Sequence, residues 1–247
     1  MPLRLSPAEI LTERVPALDA YVARPAAPGA YPGVVVFHEL FGVSAHVRAV
    51  AERLAATGHV AIAPNLHHRI EPALELAHDA AGRTRGFALL ESLTRDGVLA
   101  DAGGAVDHLR RRGCERVGLV GLSLGGHVAY LVATARDDLA AVVVAYGGWI
   151  PTTDIPLSRP EPTLARTPSI TAPMLLLVAG ADHAVDAEQP RAVAAALRDA
   201  GVRHEVVTWP TAQHGFLCEQ RDTYDPEAAA DAWARIDGFL AAELWER

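Results

Sequence analysis

The chain has 247 residues, half of them hydrophobic, with 30 acidic against 22 basic side chains and a formal net charge of −8. That length supports one sizeable core, and a single domain over 1–247 is the expectation for an α/β chain of this size. The acidic balance, without a run of like charge or a basic stripe, argues against a nucleic-acid partner, because the phosphate backbone would be repelled.

The first clear element is Val34-Val35-Val36-Phe37, continuously apolar and so predicted to be a strand buried on both faces. Val47, Val50 and Leu54 then share one helical face, which closes at Gly58 as a C′ residue. Val60–Ala63 predicts the next strand, stopped by Pro64. Val98, Leu99, Ala102, Val106 and Leu109 line a helix ending near Gly113. Val117-Gly118-Leu119-Val120 predicts a strand, followed by a helix through Gly126–Tyr130. Ala141–Ala145, Met174–Val178 and Glu205–Trp209 predict three more strands. Asp225-Pro226 fits an N-cap with proline at the first helical position, and Trp233, Ile236, Leu240 and Leu244 form the buried stripe that follows. This alternation predicts an α/β fold, with a mainly parallel sheet covered by helices on both faces.

Two segments break the alternation. Residues 65–95 carry His67, His68, His78, Arg83 and Arg85 without a clean period, and residues 147–173 carry six prolines. Such stretches are either surface connections or covers over a site. His67 and His68 are adjacent rather than four apart, and both are expected to be exposed rather than metal-bound.

The chemistry concentrates in Gly121-Leu122-Ser123-Leu124-Gly125, a G-x-S-x-G pattern between a predicted strand and a predicted helix. The sharp turn lifts the Ser123 hydroxyl off the strand tip and places it at a helix N-terminus, where free N–H groups favour developing negative charge. A serine hydroxyl needs a base, and the imidazolium formed needs an oriented carboxylate. The strand-end loops supply these in the order Ser, Asp, His: Asp182 follows Met174–Val178, and His214 follows Glu205–Trp209. Asp186 is a nearby rival for the acid, and Asp182 could instead cap the next helix. His183, His127 and His78 are expected to be surface or packing residues. The oxyanion donors are expected to be the N–H groups of Leu124 and of Leu40, the latter in the loop His38-Glu39-Leu40-Phe41-Gly42. Tyr146 and Trp149, just beyond a strand end, are candidate pocket residues, with packing in the core as the alternative.

At this loop the chain resembles the dienelactone hydrolase family. The resemblance rests on Val34–Gly42, the Ala63-Pro64-Asn65-Leu66 turn, Gly118–Gly126, Gly180–His183 and His214-Gly215-Phe216, and runs from about residue 30 onward. It implies an α/β-hydrolase fold and hydrolysis of a small ester, lactone or thioester. It also implies Ser123, Asp182 and His214 as the triad and matches Glu39 to a glutamate that contacts the family's nucleophile. The best-characterised members carry cysteine where this chain has Ser123. Glu39 is therefore open between positioning substrate, holding a resting hydrogen bond, and structure alone. The family clamps a carboxylate with arginines, one of them shortly after the catalytic histidine. Leu217-Cys218 occupies that slot here, with Arg221 a little farther on, and Arg83 and Arg85 are candidates for a second contact.

No cofactor is expected. H-E-x-x-H, the P-loop pattern and a G-x-G-x-x-G after a strand are all absent, so neither metal nor nucleotide is anticipated. Cys114 and Cys218 cannot build a disulfide framework. No apolar stretch approaches the roughly 18 residues needed to span a bilayer, and Met1–Ser6 lacks a signal-peptide core. A cytoplasmic enzyme acting on a small molecule is the expectation, with the oligomeric state open. Acyl transfer or rearrangement at the same site, and a non-catalytic binding protein on the same fold, are the alternatives. Hydrolysis should fall on acidification as the His214 imidazole gains a proton.

Overall fold

A computed structural model describes residues 5–6 and 9–245. The first four residues, part of the start considered above, lie outside the described residues. The frame is an eight-stranded sheet in the order β1-β2-β4-β3-β5-β6-β7-β8. Its strands are β1 (Ile10–Val15), β2 (Ala20–Pro25), β3 (Gly33–Phe37), β4 (Val60–Ala63), β5 (Val117–Leu122), β6 (Ala141–Ala145), β7 (Met174–Ala179) and β8 (His204–Trp209). β1 and β2 form an antiparallel hairpin and β2 pairs antiparallel with β4; every pairing from β4 to β8 is parallel. This is an α/β-hydrolase fold.

The apolar runs become central strands because both faces of the sheet are covered. In β3, Val35 and Phe37 enter the core on one face while Val34 and Val36 enter the core on the other. The first core includes residues of α3 (Arg95–Arg111), α4 (Leu124–Ala133) and α5 (Glu188–Asp199). The second includes residues of α1 (Ala45–Ala56) and α6 (Pro226–Leu244). The helix boundaries follow their sequence signals. Gly58 and Gly113 take φ of 88° and 86° just past α1 and α3, a backbone state open to glycine at little cost. Asp225 caps α6 by accepting the N–H groups of Glu227 and Ala228.

Elements without a hydrophobic period in sequence appear at the edges. β1 is an outer strand with no buried residue, joined to β2 through Asp19 at φ 45°. Residues 65–95 contain α2 (Ala80–Leu90), whose buried face is Gly82, Gly86, Leu89 and Leu90. Two glycines on the contact face leave no apolar stripe to detect. The close approach needs them: a Cβ on Gly86 would lie 2.8 Å from the Leu40 carbonyl oxygen. α2 therefore packs directly on the loop after β3.

His67 corrects an expectation. It is fully buried, its ring 5.4 Å from that of His38, and neither ring nitrogen has a hydrogen-bond partner. The turn after β4 runs under α2 and α3 rather than over the surface, and burial drives the imidazole pKa down to about 3. His68 is half-buried beside Asp101, which Arg69 also grips through both guanidinium nitrogens. In the proline-rich segment, Thr163 and Thr167 are buried, where their hydroxyls meet His127 Nε2 at 2.9 Å and Tyr130 Oη at 2.5 Å. His127 also donates from Nδ1 to the Gly148 carbonyl at 3.0 Å, so it is a packing residue held neutral.

Candidate active site

Four loops at the carboxyl ends of the parallel strands meet above β5. Ser123 sits between β5 and α4 with φ 55° and ψ −115°, a conformation that costs about 1–3 kcal/mol in a non-glycine residue. The flanking glycines make the turn possible. A Cβ on Gly121 would stand 2.0 Å from the Gly125 oxygen, and one on Gly125 would stand 2.1 Å from the Phe37 oxygen. The second contact also brings the serine turn against the end of β3. Tyr146 and Trp149, in the loop after β6, are strained likewise at φ 40° and 60°.

The hydroxyl of Ser123 is 2.8 Å from Nε2 of His214, and Nδ1 of His214 is 2.9 Å from Oδ2 of Asp182. All three side chains are largely buried. Asp182 accepts the N–H groups of Ala184 and Val185 on its other oxygen, at 2.7 and 3.0 Å. Burial raises its pKa, but the His214 hydrogen bond and charge and these two amides outweigh that, so the carboxyl lies below its ordinary range. It is held ionised against the imidazole. Asp186 instead accepts the Glu188 N–H at the start of α5 and is exposed. The Thr223 hydroxyl donates to the His214 carbonyl at 2.8 Å, and the Tyr146 ring packs edge-on against His214 at 5.2 Å. His183 is exposed, with its ring 6.1 Å from that of His214.

The loop after β3 is pinned by His38, a residue that the sequence did not single out. Its Nδ1 meets the Glu39 carbonyl oxygen at 2.5 Å, and its Nε2 accepts the Leu66 N–H at 3.0 Å. A carbonyl only accepts and an N–H only donates, so these partners select the neutral tautomer protonated at Nδ1. Complete burial supports that form by lowering the imidazole pKa to about 4. The 39–40 peptide is trans, so its N–H points away from the carbonyl that His38 holds. The Leu40 N–H is thereby turned from the His38 ring, and it has no backbone acceptor among the described residues. The Leu124 N–H is the first of α4 and belongs to the helix's unpaired donors.

Glu39 is buried and its Oε1 meets Nη1 of Arg221 at 3.3 Å, while the Ser123 hydroxyl pairs with His214. Arg221 reaches the cluster because Gly215 leaves room: a Cβ there would stand 2.1 Å from its Nη1. Arg83 and Arg85 lie on the exposed side of α2, Arg85 paired with Glu71 at 2.8 Å. Neither makes a hydrogen bond or ion pair with the Ser123 cluster among the described residues. Trp149 is half-buried, donates its backbone N–H to Gln189 at 2.7 Å, and meets Phe87 of α2 edge-on at 6.3 Å. A cavity of about 320 Å³ between α5 and β6–β8 borders Asp182 and Tyr146, but neither Ser123 nor His214 is in its wall.

The model of the dienelactone hydrolase family matches residues 18–244. The chain belongs to this family. It is 33% identical over 230 residues to a candidate carboxymethylenebutenolidase of Synechocystis sp., covering 92% of each protein. It is 32% identical over 222 residues to a candidate carboxymethylenebutenolidase of Escherichia coli K12, covering 89% of this chain and 80% of that protein. The crystal structure of a candidate dienelactone hydrolase from Klebsiella pneumoniae superposes with a TM-score of 0.80 at 32% identity, covering 90% and 92% of the two chains. Membership makes the protein a hydrolase of the carboxylic ester class. No helix among the described residues is long and apolar enough to cross a membrane.

Proposed function

We propose that this dienelactone hydrolase family member cleaves a small ester, lactone or thioester through an acyl-enzyme on Ser123. The observation that carries the reading is the unbroken chain of two hydrogen bonds from the Ser123 hydroxyl through His214 to Asp182. As Ser123 Oγ attacks the carbonyl carbon, its proton passes to Nε2 of His214. Asp182 holds the Nδ1 proton, fixes the tautomer that leaves Nε2 free to accept, and stabilises the imidazolium. The Leu40 and Leu124 N–H groups receive the oxyanion, each donor worth about 3 kcal/mol in the transition state. Collapse of the tetrahedral species expels the leaving oxygen or sulfur, which takes the proton back from Nε2. A water then attacks the acyl group with His214 again as base, and Ser123 is regenerated.

Arg221 packs against Gly215, next to His214, and is paired with Glu39 in the free protein. A substrate carboxylate would compete for it, which supports small acyl groups bearing an acid as one preferred class. Arg83, on the exposed side of α2, remains a candidate for a second contact. Phe87 and Trp149 would border the entrance.

The test is a fluorophosphonate probe followed by peptide mapping, beside turnover of p-nitrophenyl acetate and of a lactone with a free carboxylate. Labelling of Ser123 in the native chain, lost in Ser123→Ala together with turnover, is expected. Unlabelled Ser123 in folded protein would refute the reading and favour a binding protein on the same fold. Product analysis with an added alcohol separates hydrolysis from acyl transfer.

A further inference from the structure

Beside the triad lies a polar cluster that the reaction above does not use as a unit. Glu39 comes from the loop after β3, His78 from the segment before α2, and Cys218 from the turn after His214. Each offers a ligand atom within 4.8 Å of the other two. Cys218 Sγ is 3.9 Å from Nδ1 of His78, too long for a firm hydrogen bond, and its nearer polar contact is Gln220 Oε1 at 3.4 Å. Glu39 and Cys218 are buried, and His78 is half-buried against the edge of the Phe41 ring. Three surrounding polar atoms are buried without partners: His46 Nε2, His78 Nε2 and Tyr146 Oη. His46 interacts electrostatically with Glu39 and His78, and Tyr146 with Glu39 and Cys218. Each unpartnered buried group costs about 1–3 kcal/mol, so several around one cluster mark a polar pocket suited to a hydrogen-bonding guest such as a metal-bound water.

We propose that Glu39, His78 and Cys218 form a binding site for a divalent cation of the zinc class. One thiolate, one imidazole and one carboxylate are the donors that such a borderline-soft ion takes, and three protein ligands leave a fourth position for water. Tetrahedral bonds of about 2.0–2.3 Å place ligand atoms about 3.3–3.7 Å apart, so the widest pair must draw in by up to roughly 1.5 Å. His78, half-buried in the segment before α2, is the least enclosed of the three ligands and the one best placed to move. On binding, the Cys218 thiol releases one proton to solvent. The thiolate and the Glu39 carboxylate then offset the two charges of the cation, and the Arg221 guanidinium is left as the single net positive charge of the cluster. Arg221 holds Oε1 of Glu39, and a carboxylate's second oxygen can serve the metal. The ligands stand at positions 39, 78 and 218 with no motif spacing, so no sequence pattern announces them.

The test is titration of the reduced full chain with Co²⁺, followed by displacement with Zn²⁺. A thiolate-to-cobalt charge-transfer band that saturates at one equivalent is expected, and Zn²⁺ should bleach it. Cys218→Ser should abolish the band, although Cys114 remains. His78→Gln, at a half-buried position that tolerates change, should weaken cobalt binding at least tenfold, equivalent to about 1.4 kcal/mol. Ser123→Ala should titrate as the native chain does, which keeps this result independent of the hydrolytic reading. No charge-transfer band, a band that survives Cys218→Ser, or native affinity in His78→Gln would each overturn the proposal.

Discussion

His38 is the residue whose replacement best separates folding from catalysis. Its two ring nitrogens meet different partners: Nδ1 the Glu39 carbonyl, Nε2 the Leu66 N–H. Removing the ring in His38→Ala strands two buried backbone groups, at about 1–3 kcal/mol each, before any cavity cost. It also frees the 39–40 peptide to rotate and swing the Leu40 N–H out of line. Loss of one oxyanion donor typically lowers kcat by about 10²–10³, with KM little changed because the contact strengthens only in the transition state. Two milder variants divide these effects. An Asn amide nitrogen falls near the Nδ1 position, so His38→Asn should keep the Glu39 bond and most of kcat while losing stability at Leu66. A Gln amide falls near the Nε2 position, so His38→Gln should keep the Leu66 contact and lose kcat. Steady-state hydrolysis of p-nitrophenyl acetate with thermal unfolding followed by circular dichroism reads both quantities. Native kcat in a folded His38→Gln variant would refute the claim that this ring aims the Leu40 amide.

The other expectations follow from the same geometry. Ser123→Gly should abolish turnover yet raise Tm, because the φ of 55° costs a serine about 1–3 kcal/mol and glycine's entropy loss gives back only about 0.5–1; a lower Tm would contradict strain at the turn. Asp182→Asn should cut kcat by about 10⁴ with KM nearly unchanged, since an amide facing Nδ1 favours the wrong tautomer; a loss of tenfold or less would remove Asp182 from its role. Burial holds the imidazole pKa values of His38, His59 and His127 down to about 4 and of His67 to about 3. Their unfolded value is about 6.5, so as pH falls from there toward 4 the unfolded chain binds up to four more protons than the folded one. Stability is fully present above pH ~6.5 and is lost below it, with a limiting slope of about 5 kcal/mol per pH unit. Urea midpoints measured from pH 7 to 4.5 should fall steeply, and a flat profile would show that these rings are not buried neutral.

What could be read from sequence was whatever has a local signature. The G-x-S-x-G turn announces itself because a tight strand-to-helix reversal needs glycines at fixed offsets, and Gly121 and Gly125 both abut backbone atoms in the structure. Asp182 and His214 were legible through chain order and strand-end position, and α6 through its Asp225 cap and apolar stripe. α2 escaped because its contact face is built on glycine, which carries no hydrophobic period. β1 escaped because an edge strand buries little. His67 is buried although a His-His pair beyond a strand resembles surface polarity; its enclosure depends on long-range packing, with the His38 ring 5.4 Å away and the turn tied to Asp101 of α3 through His68 and Arg69. The Arg221–Glu39 pair spans 182 residues and the His38–Leu66 contact spans 28, and neither leaves a mark that spacing alone reveals.

The accuracy of the site is a property of backbone contacts more than of side-chain bulk. The loop carrying Glu39 and Leu40 is confined on two sides by glycines. Gly125 brings the serine turn against the Phe37 carbonyl, and Gly86 brings α2 against the Leu40 carbonyl. Backbone held against backbone has few alternative packings, whereas apolar side chains can repack when a neighbour changes. His38 further restrains rotation of the 39–40 peptide through a bond to its carbonyl. On the proposed mechanism, the Leu40 and Leu124 N–H groups would therefore need no reorganisation as charge develops, which is the condition under which a backbone N–H contributes most to lowering a barrier. The strain at Ser123, Tyr146 and Trp149 is sustained by the same rigidity. A flexible loop would relax these φ values and lose the alignment of hydroxyl, imidazole and amide together.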